Sequence, residues 1–524
     1  MKNFKLFFYI VCILLSGSTA NAQHIIPMPQ KMMTCEGSVK VRKLKNVRYV
    51  TDARMEDEAY RLDISKKGVT ITSATDRGKF YAEQTLQQLA EDCTNGSIAC
   101  MHIEDHPQYA YRGFMLDVSR HFFSVEELKK LIDVMARYKM NVFHWHLTDD
   151  HGWRAEIKKW PKLTTVGAIR SNSWETDFHL DSINTTAQHK YYTGTAAYTD
   201  RQYGPYYYTQ DEMRDIVRYC AERHIDVLPE VDMPGHFKAA MAAYPNFSCT
   251  PEVEHKVWTE RWGVNDDVLN VGNQAAINFA KDILDELCEI FPYPYIHIGG
   301  DECPTSAWEK NAMCQEKCRR LGLKHVRALQ SDFIKEISNH VYKKGKKIIC
   351  WNESISAEGA DLEVIKQTGA VIFCWVGSKA AAKKAIDMGL NVVLSEIHAP
   401  DGSYYINRRP SNETGEPAGA GAGDDTVEKT YTYDPVPNGL DAKQLKQVNG
   451  VQATFWTEWV SSNDYLEYLA LPKLICIAET GWTAPSQKNW ECFRNRLMKQ
   501  TRWLDENKYI YSQHWMKGYE PRKQ

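Results

Sequence analysis

From Tyr111 onward the chain repeats one pattern. A short apolar run of strand character is followed by a polar or aromatic cluster, then by a stretch with helical periodicity. The runs are Phe114 to Val118, Asn141 to Leu147, Ile225 to Val231, Tyr295 to Ile298, Lys347 to Trp351, Val371 to Trp375, Asn391 to Ser395 and Val451 to Phe455. Helices are expected at Ser124 to Tyr138, Thr209 to Arg223, Ala275 to Ile290 and Val326 to Lys343. For the first of these, Ser124 is the expected N-cap and Glu127 the residue that closes a capping box. Eight strands alternating with helices predict an α/β fold, a (β/α)8 TIM barrel. In that fold all strands end on one face, so residues far apart in sequence meet in one bowl.

The strand ends carry chemistry. They read Asp117-Val118-Ser119-Arg120-His121, then Thr148-Asp149-Asp150-His151, then Glu230-Val231-Asp232-Met233-Pro234-Gly235-His236, then Gly299-Gly300-Asp301-Glu302. Trp351-Asn352-Glu353, Trp375 and Trp456-Thr457-Glu458 follow. Three readings compete. Most glycosidases oppose two carboxylates about 5 Å or more apart across the bond. The neighbours Asp301 and Glu302 cannot form that pair unaided. They suit a different division of labour, in which one carboxyl protonates the leaving oxygen and the other holds a substrate group that acts as nucleophile. A 2-acetamido sugar brings such a group. The second reading is a metal-dependent barrel hydrolase using His144-x-His146, His236, His297 and Asp301. Trp145 falls on the opposite strand face and no further ligand set is clear, so no metal or cofactor is expected. The third is a catalytically inactive glycan-binding protein, which has no use for an acid beside an orienting carboxylate.

Around this core the sequence is organised simply. Lys2 and Lys5, the apolar run Leu6 to Leu15 and Ala20-Asn21-Ala22 read as a signal peptide over 1–22, with Gln23 the first mature residue. Cys12 lacks the small residues expected before a lipidated cysteine, and no later run is long enough for a transmembrane helix. An exported protein, periplasmic or extracellular and without a transmembrane anchor, is expected. Residues 23–107 read as a small N-terminal α/β domain with strands Val39 to Val50, Tyr60 to Ile64 and Val69 to Thr72 and a helix Asp76 to Leu89. Residues 108–524 read as the barrel with a C-terminal helical tail. Two insertions, 154–208 and 406–448, are expected on the active face, the second holding the flexible tract Ala418 to Gly423. With Cys12 removed, 13 of 14 cysteines remain, an odd number that rules out complete intrachain pairing. Cys93 and Cys100 can close a short loop, while Cys303, Cys314 and Cys318 read as structural thiols or a local disulfide and not as a zinc site. A net charge of −3 with no basic block argues against nucleic acid. The 15 Trp and 28 Tyr suit a carbohydrate binder but equally a large core.

Four blocks, Tyr111 to Phe123, His144 to Asp150, Val231 to His236 and His297 to Glu302, resemble the signature blocks of glycoside hydrolase family 20, the β-N-acetylhexosaminidases. They stand in the family's order, and the similarity runs through Trp351 to Trp456-Thr457-Glu458. The resemblance implies an exo-acting retaining β-N-acetylhexosaminidase that removes terminal β-linked GlcNAc or GalNAc from glycans by substrate-assisted catalysis through an oxazolinium intermediate. Disaccharide-releasing members of the lacto-N-biosidase type are the alternative. It implies Glu302 as acid and then base, Asp301 on the acetamido N–H, and Tyr405 on the acetamido oxygen. Arg120 and Glu458 would bind the outer hydroxyls, and Trp351, Trp375 and Trp456 would wall the pocket. Asp149, His236 and Asp232 would lie behind the acid, where a neighbouring carboxylate favours its protonated form. At one position the chain departs from the pattern. Ile406-Asn407 stands where the family often has Leu-Asp, which implies a changed preference at the 4- or 6-position of the sugar, including tolerance of an anionic 6-substituent.

Overall fold

Each expected barrel strand forms, because each is an apolar run buried on both faces. The eight are Tyr111–Asp117, Val142–His146, Asp226–Glu230, Tyr295–His297, Lys347–Trp351, Val371–Cys374, Asn391–Leu394 and Val448–Phe455. They close in sequence order into a parallel barrel, the eighth pairing with the first through Val451 opposite Arg112. This computed structural model describes residues 24–91, 96–186, 189–257, 262–356, 362–367, 369–397, 402–408 and 425–516. The expected signal peptide 1–22, Cys93 and the tract 418–423 lie outside these residues.

Strand alternation sorts the side chains. In the second strand Val142 joins the barrel interior and His144 stacks there on His297, 4.7 Å between centroids. Phe143 and Trp145 belong to the larger core between strands and helices. The interior is filled by Tyr111, Met115, Leu228, Ile349, Phe373 and Val393, so the barrel is a packed core that supports a site at its upper end.

Helix Val125–Arg137 starts as expected at Ser124, whose hydroxyl accepts the Glu127 amide. The reciprocal arm of the capping box is absent. Glu127 is buried and turns to Glu467 instead, and burial together with that neighbour pushes its carboxyl up to about 8. A full capping box occurs at Thr209 and Glu212, before Gln210–Ala221.

The N-terminal module has five strands in the order Lys31–Lys40, Ser97–Asp105, Tyr60–Ser65, Gly68–Ser73, Val47–Thr51, with helix Asp76–Glu91 against them. The expected single strand from Val39 to Val50 is broken by a 3-10 turn, Val41–Lys43. Val41, Leu44 and Val47 are spaced by three, which is the period of a tight turn and not of a strand.

The module and barrel share buried contacts. Trp482 completes the module's core although it ends helix Lys473–Trp482 on the barrel side. Arg112 of the first barrel strand is fully buried and pairs with Glu58 of the module at 2.7 Å; Lys139 pairs with Asp105 at 3.1 Å. The C-terminal helix Trp490–Glu506 reaches back through Arg496, which donates to the Ile25 carbonyl. Insertion 154–208 contains an antiparallel hairpin, Ser173–Thr186 with His189–Thr199. Its Trp174 packs on Trp459 beside the eighth strand end, centroids 5.2 Å apart. Cys303, Cys314 and Cys318 are free buried thiols, as is Cys100. Among the described residues no helix is long and apolar enough to cross a membrane.

Candidate functional site

The fourth strand stops at His297, and the chain then turns through Gly299 (φ 67°) and Gly300 (φ 88°). A side chain at 299 has no room: its Cβ would stand 1.7 Å from Asp232 Oδ1. Asp232 instead accepts the Gly300 amide at 3.0 Å. The turn delivers Asp301 into the interior and leaves Glu302 on the wall of the bowl at φ 40°, a left-handed conformation that costs a non-glycine residue about 1–3 kcal/mol. Asp301 is 5% exposed, while the Glu302 side chain is 39% exposed and free to reach a bound molecule.

Of the three residues expected behind Glu302, His236 is the one that reaches its carboxyl. His236 Nε2 lies 3.3 Å from Glu302 Oε2, and its Nδ1 faces Asp150 at 3.2 Å and Asp149 at 3.4 Å. Burial opposes charge on His236, but these carboxylates outweigh it and hold its pKa well above the ordinary value, so it is an imidazolium at neutral pH. Asp232 packs with Asp301 and not behind Glu302. Burial and the Asp301 charge push Asp232 well up, and it stays protonated. Burial likewise raises Asp301, to about 6, against the pull of His236 and the Asp232 hydrogen bond. Asp301 is therefore the ionised member at neutral pH, hydrogen-bonded by Asp232 and with its Oδ2 3.8 Å from His236 Nε2.

An aromatic cage adjoins this acceptor. Trp351, fully buried, meets Trp375 at 6.5 Å and Trp456 at 6.2 Å; Tyr405 lies parallel to Trp375 at 6.2 Å, interplanar angle 10°. Tyr405 is fixed because its neighbours pair with the eighth strand, Ile406 N to Thr454 O at 2.9 Å and Thr454 N to Tyr404 O at 2.8 Å. Its hydroxyl is buried and unpartnered, and burial keeps it protonated, hence a donor. The cage thus offers one unmet donor beside an ionised acceptor.

Arg120 defines the opposite side. Its guanidinium binds Asp149 Oδ2 at 2.8 Å and Asp117 Oδ2 at 3.3 Å and lies 5.0 Å from the Trp456 ring centre. Its Nε, Glu458 Oε2 and Asn407 Oδ1 are buried polar atoms without partners. Asp149 links the two regions, because it contacts Arg120, His236 and His146. All twelve residues singled out from the sequence, Glu302, Asp301, Tyr405, Arg120, Asp149, His236, Trp351, Trp375, Asn407, Trp456, Glu458 and Asp232, are buried or half-buried at this end, except the exposed Glu302.

Two residues carry more than the sequence showed. Glu230, at the third strand end, is fully buried, is hydrogen-bonded to His146 Nδ1 at 2.6 Å and the Trp351 indole at 2.8 Å, and lies 2.8 Å from His297 Nδ1 and 3.0 Å from His144 Nε2. Burial opposes its charge, yet the histidines hold it well below the carboxylate range. Burial lowers and Glu230 and Asp149 raise His146, to about 10. His144, Glu230 and His297 have the spacing of a cation site, as do Asp149, Asp150 and His236, and Asp232, His236 and Asp301. In the first set the indole N–H, which cannot ligate, already occupies a carboxylate oxygen. The set is a hydrogen-bonded support under Trp351. Glu353 accepts the Trp375 indole at 3.2 Å, and burial with the nearby Asp301 and Glu302 charges pushes it up to about 7. The sequence signal for both was only their place after a strand.

Residues 109–485 match the family model for the glycosyl hydrolase family 20 catalytic domain, and residues 42–106 match that family's domain 2. The chain is similar to a beta-hexosaminidase of Porphyromonas gingivalis, 37% identical over 84% of this chain, which spans 53% of that protein. It is 31% identical to a beta-hexosaminidase of Akkermansia muciniphila over 97% of this chain and 96% of that one. Among solved structures it resembles the Streptomyces plicatus N-acetyl-beta-hexosaminidase bound to Thio-NAglucal, with TM-score 0.74, 30% identity, and 94% and 96% of the two chains covered. It also resembles the Vibrio harveyi exo beta-N-acetylglucosaminidase bound to N-acetylglucosamine, with TM-score 0.78, 27% identity, and 94% and 79% covered.

Proposed function

We infer, from the premise that this chain belongs to glycosyl hydrolase family 20, that it is an exo-acting, retaining β-N-acetylhexosaminidase that uses its substrate's acetamido group as nucleophile. The observation that carries this reading is an unmet donor and an ionised acceptor beside one aromatic cage. An acetamido group presents one C=O, one N–H and a methyl. The Tyr405 hydroxyl is a donor without an acceptor, the ionised Asp301 carboxylate is an acceptor, and Trp351, Trp375 and Trp456 supply apolar faces. A buried polar atom without a partner costs about 1–3 kcal/mol, so an acetamido group that meets the Tyr405 hydroxyl gains by that amount.

The steps follow from position. Tyr405 and Asp301 hold the acetamido oxygen against the anomeric carbon. Glu302 gives its proton to the glycosidic oxygen, and the C1–O bond breaks as the carbonyl oxygen closes on C1. The oxazolinium formed carries positive charge on its nitrogen side, where ionised Asp301 opposes it. Glu302, now a carboxylate, takes a proton from water, which attacks C1 and restores the acetamido group. Two inversions at C1 retain configuration, and no bond to the protein forms. His236 steers the Glu302 carboxyl. Arg120, Glu458 and Asn407 supply polar atoms for the hydroxyls of the terminal sugar, and the substrates are glycans ending in β-linked GlcNAc or GalNAc. We also propose that residues 1–22 direct export; mass spectrometry of the secreted chain should find Gln23 first.

Product analysis on a short β-linked GlcNAc oligomer tests the reading. Wild type should release GlcNAc one residue at a time from the non-reducing end, and Glu302→Gln should slow this by about 10²–10⁴-fold. Release of disaccharides instead would overturn the monosaccharide claim and favour the disaccharide-releasing alternative.

A further inference from the structure

A cavity of about 710 Å³ opens on the other side of Glu302. None of the four rings of the acetamido cage lines it, while Glu302 and Glu353 do. Its volume is within the roughly 300–1,000 Å³ typical of ligand pockets. The outer wall is the loop before helix Ala328–Lys343, carrying Lys324, His325 and Arg327. Neither Lys324 nor Arg327 has a carboxylate partner among the described residues; Arg327 donates only to the Cys303 carbonyl, at 3.2 Å. Arg327 is also the N-cap of that 16-residue helix, whose positive end therefore points the same way.

The opposing acids do not cancel this charge in the working state. Glu302 must be protonated to act as an acid. Glu353, raised to about 7 by burial above all, is only partly ionised at neutral pH. Glu309 is left, with the Thr305 hydroxyl on its Oε1. Two cations and a helix N-terminus then face Glu309 and a partly ionised Glu353.

We propose that this cavity receives the leaving group, and that Lys324 and Arg327 adapt it to a leaving sugar bearing an anionic oxygen group, such as a uronic acid carboxylate or a sulfate. The proposal rests on the reading of Glu302 as the proton donor, since that fixes which side of the acid the leaving oxygen occupies. Arg327 suits a planar carboxylate and Lys324 a point charge of either kind.

Three matched disaccharides test it, with terminal GlcNAc β-linked to glucose, to glucuronic acid or to a sulfated glucose. The wild type should show a higher kcat/KM for the anionic substrates. That preference should shrink as ionic strength rises from about 0.01 to about 1 M, where the Debye length falls from about 30 to about 3 Å. Lys324→Glu should lower the anionic-to-neutral ratio by about tenfold. A gain for glucuronic acid alone assigns a carboxylate site, and a gain for both anions assigns a general one. A ratio unaffected by salt, or equal in wild type and Lys324→Glu, overturns the proposal. The salt series needs no variant, so it decides even if Lys324→Glu folds poorly. Failure of the wild type to hydrolyse any of the three would overturn the reading of Glu302 as well, an outcome distinct from an unchanged ratio.

Discussion

At the scale of single residues, the site works by keeping neighbouring acids in different states. Asp232 is held protonated and Asp301 ionised because both are buried together and only one charge is tolerated. The proposed mechanism uses Asp301 ionised, so activity should be present above about pH 6 and lost as pH falls through it. The hydrogen bond from Asp232 favours the ionised form. Asp232→Ala should therefore move the acid limb of kcat/KM to higher pH, while Asp232→Asn, which keeps an N–H donor, should leave it near the wild-type position. Superimposable pH profiles for Asp232→Ala and wild type would sink this account. Asn407 is a second test at this scale. It is 1% exposed with an unpartnered Oδ1, so a carboxylate there places a charge beside the outer hydroxyls. Asn407→Asp should cut kcat/KM for a 6-sulfated substrate more than for the plain one, by about tenfold in the ratio. Equal losses on both would remove Asn407 from substrate choice.

At the scale of elements, the Gly-Gly turn after the fourth strand is the step that converts a barrel strand into an acid site. Gly299→Ala combines a φ of 67° with a Cβ 1.7 Å from Asp232 Oδ1, and must displace the carboxyl that donates to Asp301. Gly389 has a similar φ of 82° but nothing within 4 Å of the added Cβ. Gly389→Ala should cost about 1 kcal/mol of stability with activity kept, whereas Gly299→Ala should lose activity by more than its loss of stability explains. Parallel losses in the two variants, read by melting and by kcat/KM, would contradict this. The turn was legible in the sequence because an apolar run, two glycines and two acids are local features. So were all eight strands, since each is apolar on both faces. Strand Lys31–Lys40 was not, because most of its residues are exposed at a sheet edge and carry no alternating pattern. Glu230 was not either. Its role comes from His144, His146 and His297 on two other strands, and no spacing along one segment encodes that meeting. Glu353 was likewise visible only as a strand-end residue. Its pairing with Trp375 depends on how the fifth and sixth strands stagger.

At the scale of the whole molecule, the N-terminal module is part of the barrel's lower closure and not an appended unit. The decisive contact is Arg112. It lies in the first barrel strand, is fully buried, and donates to Glu58 at 2.7 Å, to the Tyr109 carbonyl at 2.8 Å, to the Lys139 carbonyl at 2.8 Å and to the Tyr81 hydroxyl at 3.2 Å. It also stacks 5.1 Å from Trp482. Glu58 and Tyr81 belong to the module, Lys139 and Trp482 to the barrel side, so one guanidinium closes hydrogen bonds on both. Burial opposes Glu58 ionisation, but Arg112 above all holds its carboxyl below the usual range. Arg112→Met keeps the stem and removes the charge, leaving the buried Glu58 with the Asn141 amide at 3.0 Å and the more distant Arg77 at 3.5 Å. The loss should be about 3–5 kcal/mol, the cost of breaking a buried pair from one side. The double change Arg112→Met with Glu58→Leu should recover much of it, because no uncompensated charge remains. Because the interface is shared, module and barrel should lose structure in one transition in all these variants, followed together by tryptophan fluorescence and far-ultraviolet dichroism. A separate early transition for the module in the wild type would show instead that the barrel stands without it, and that these contacts contribute little to the site's rigidity.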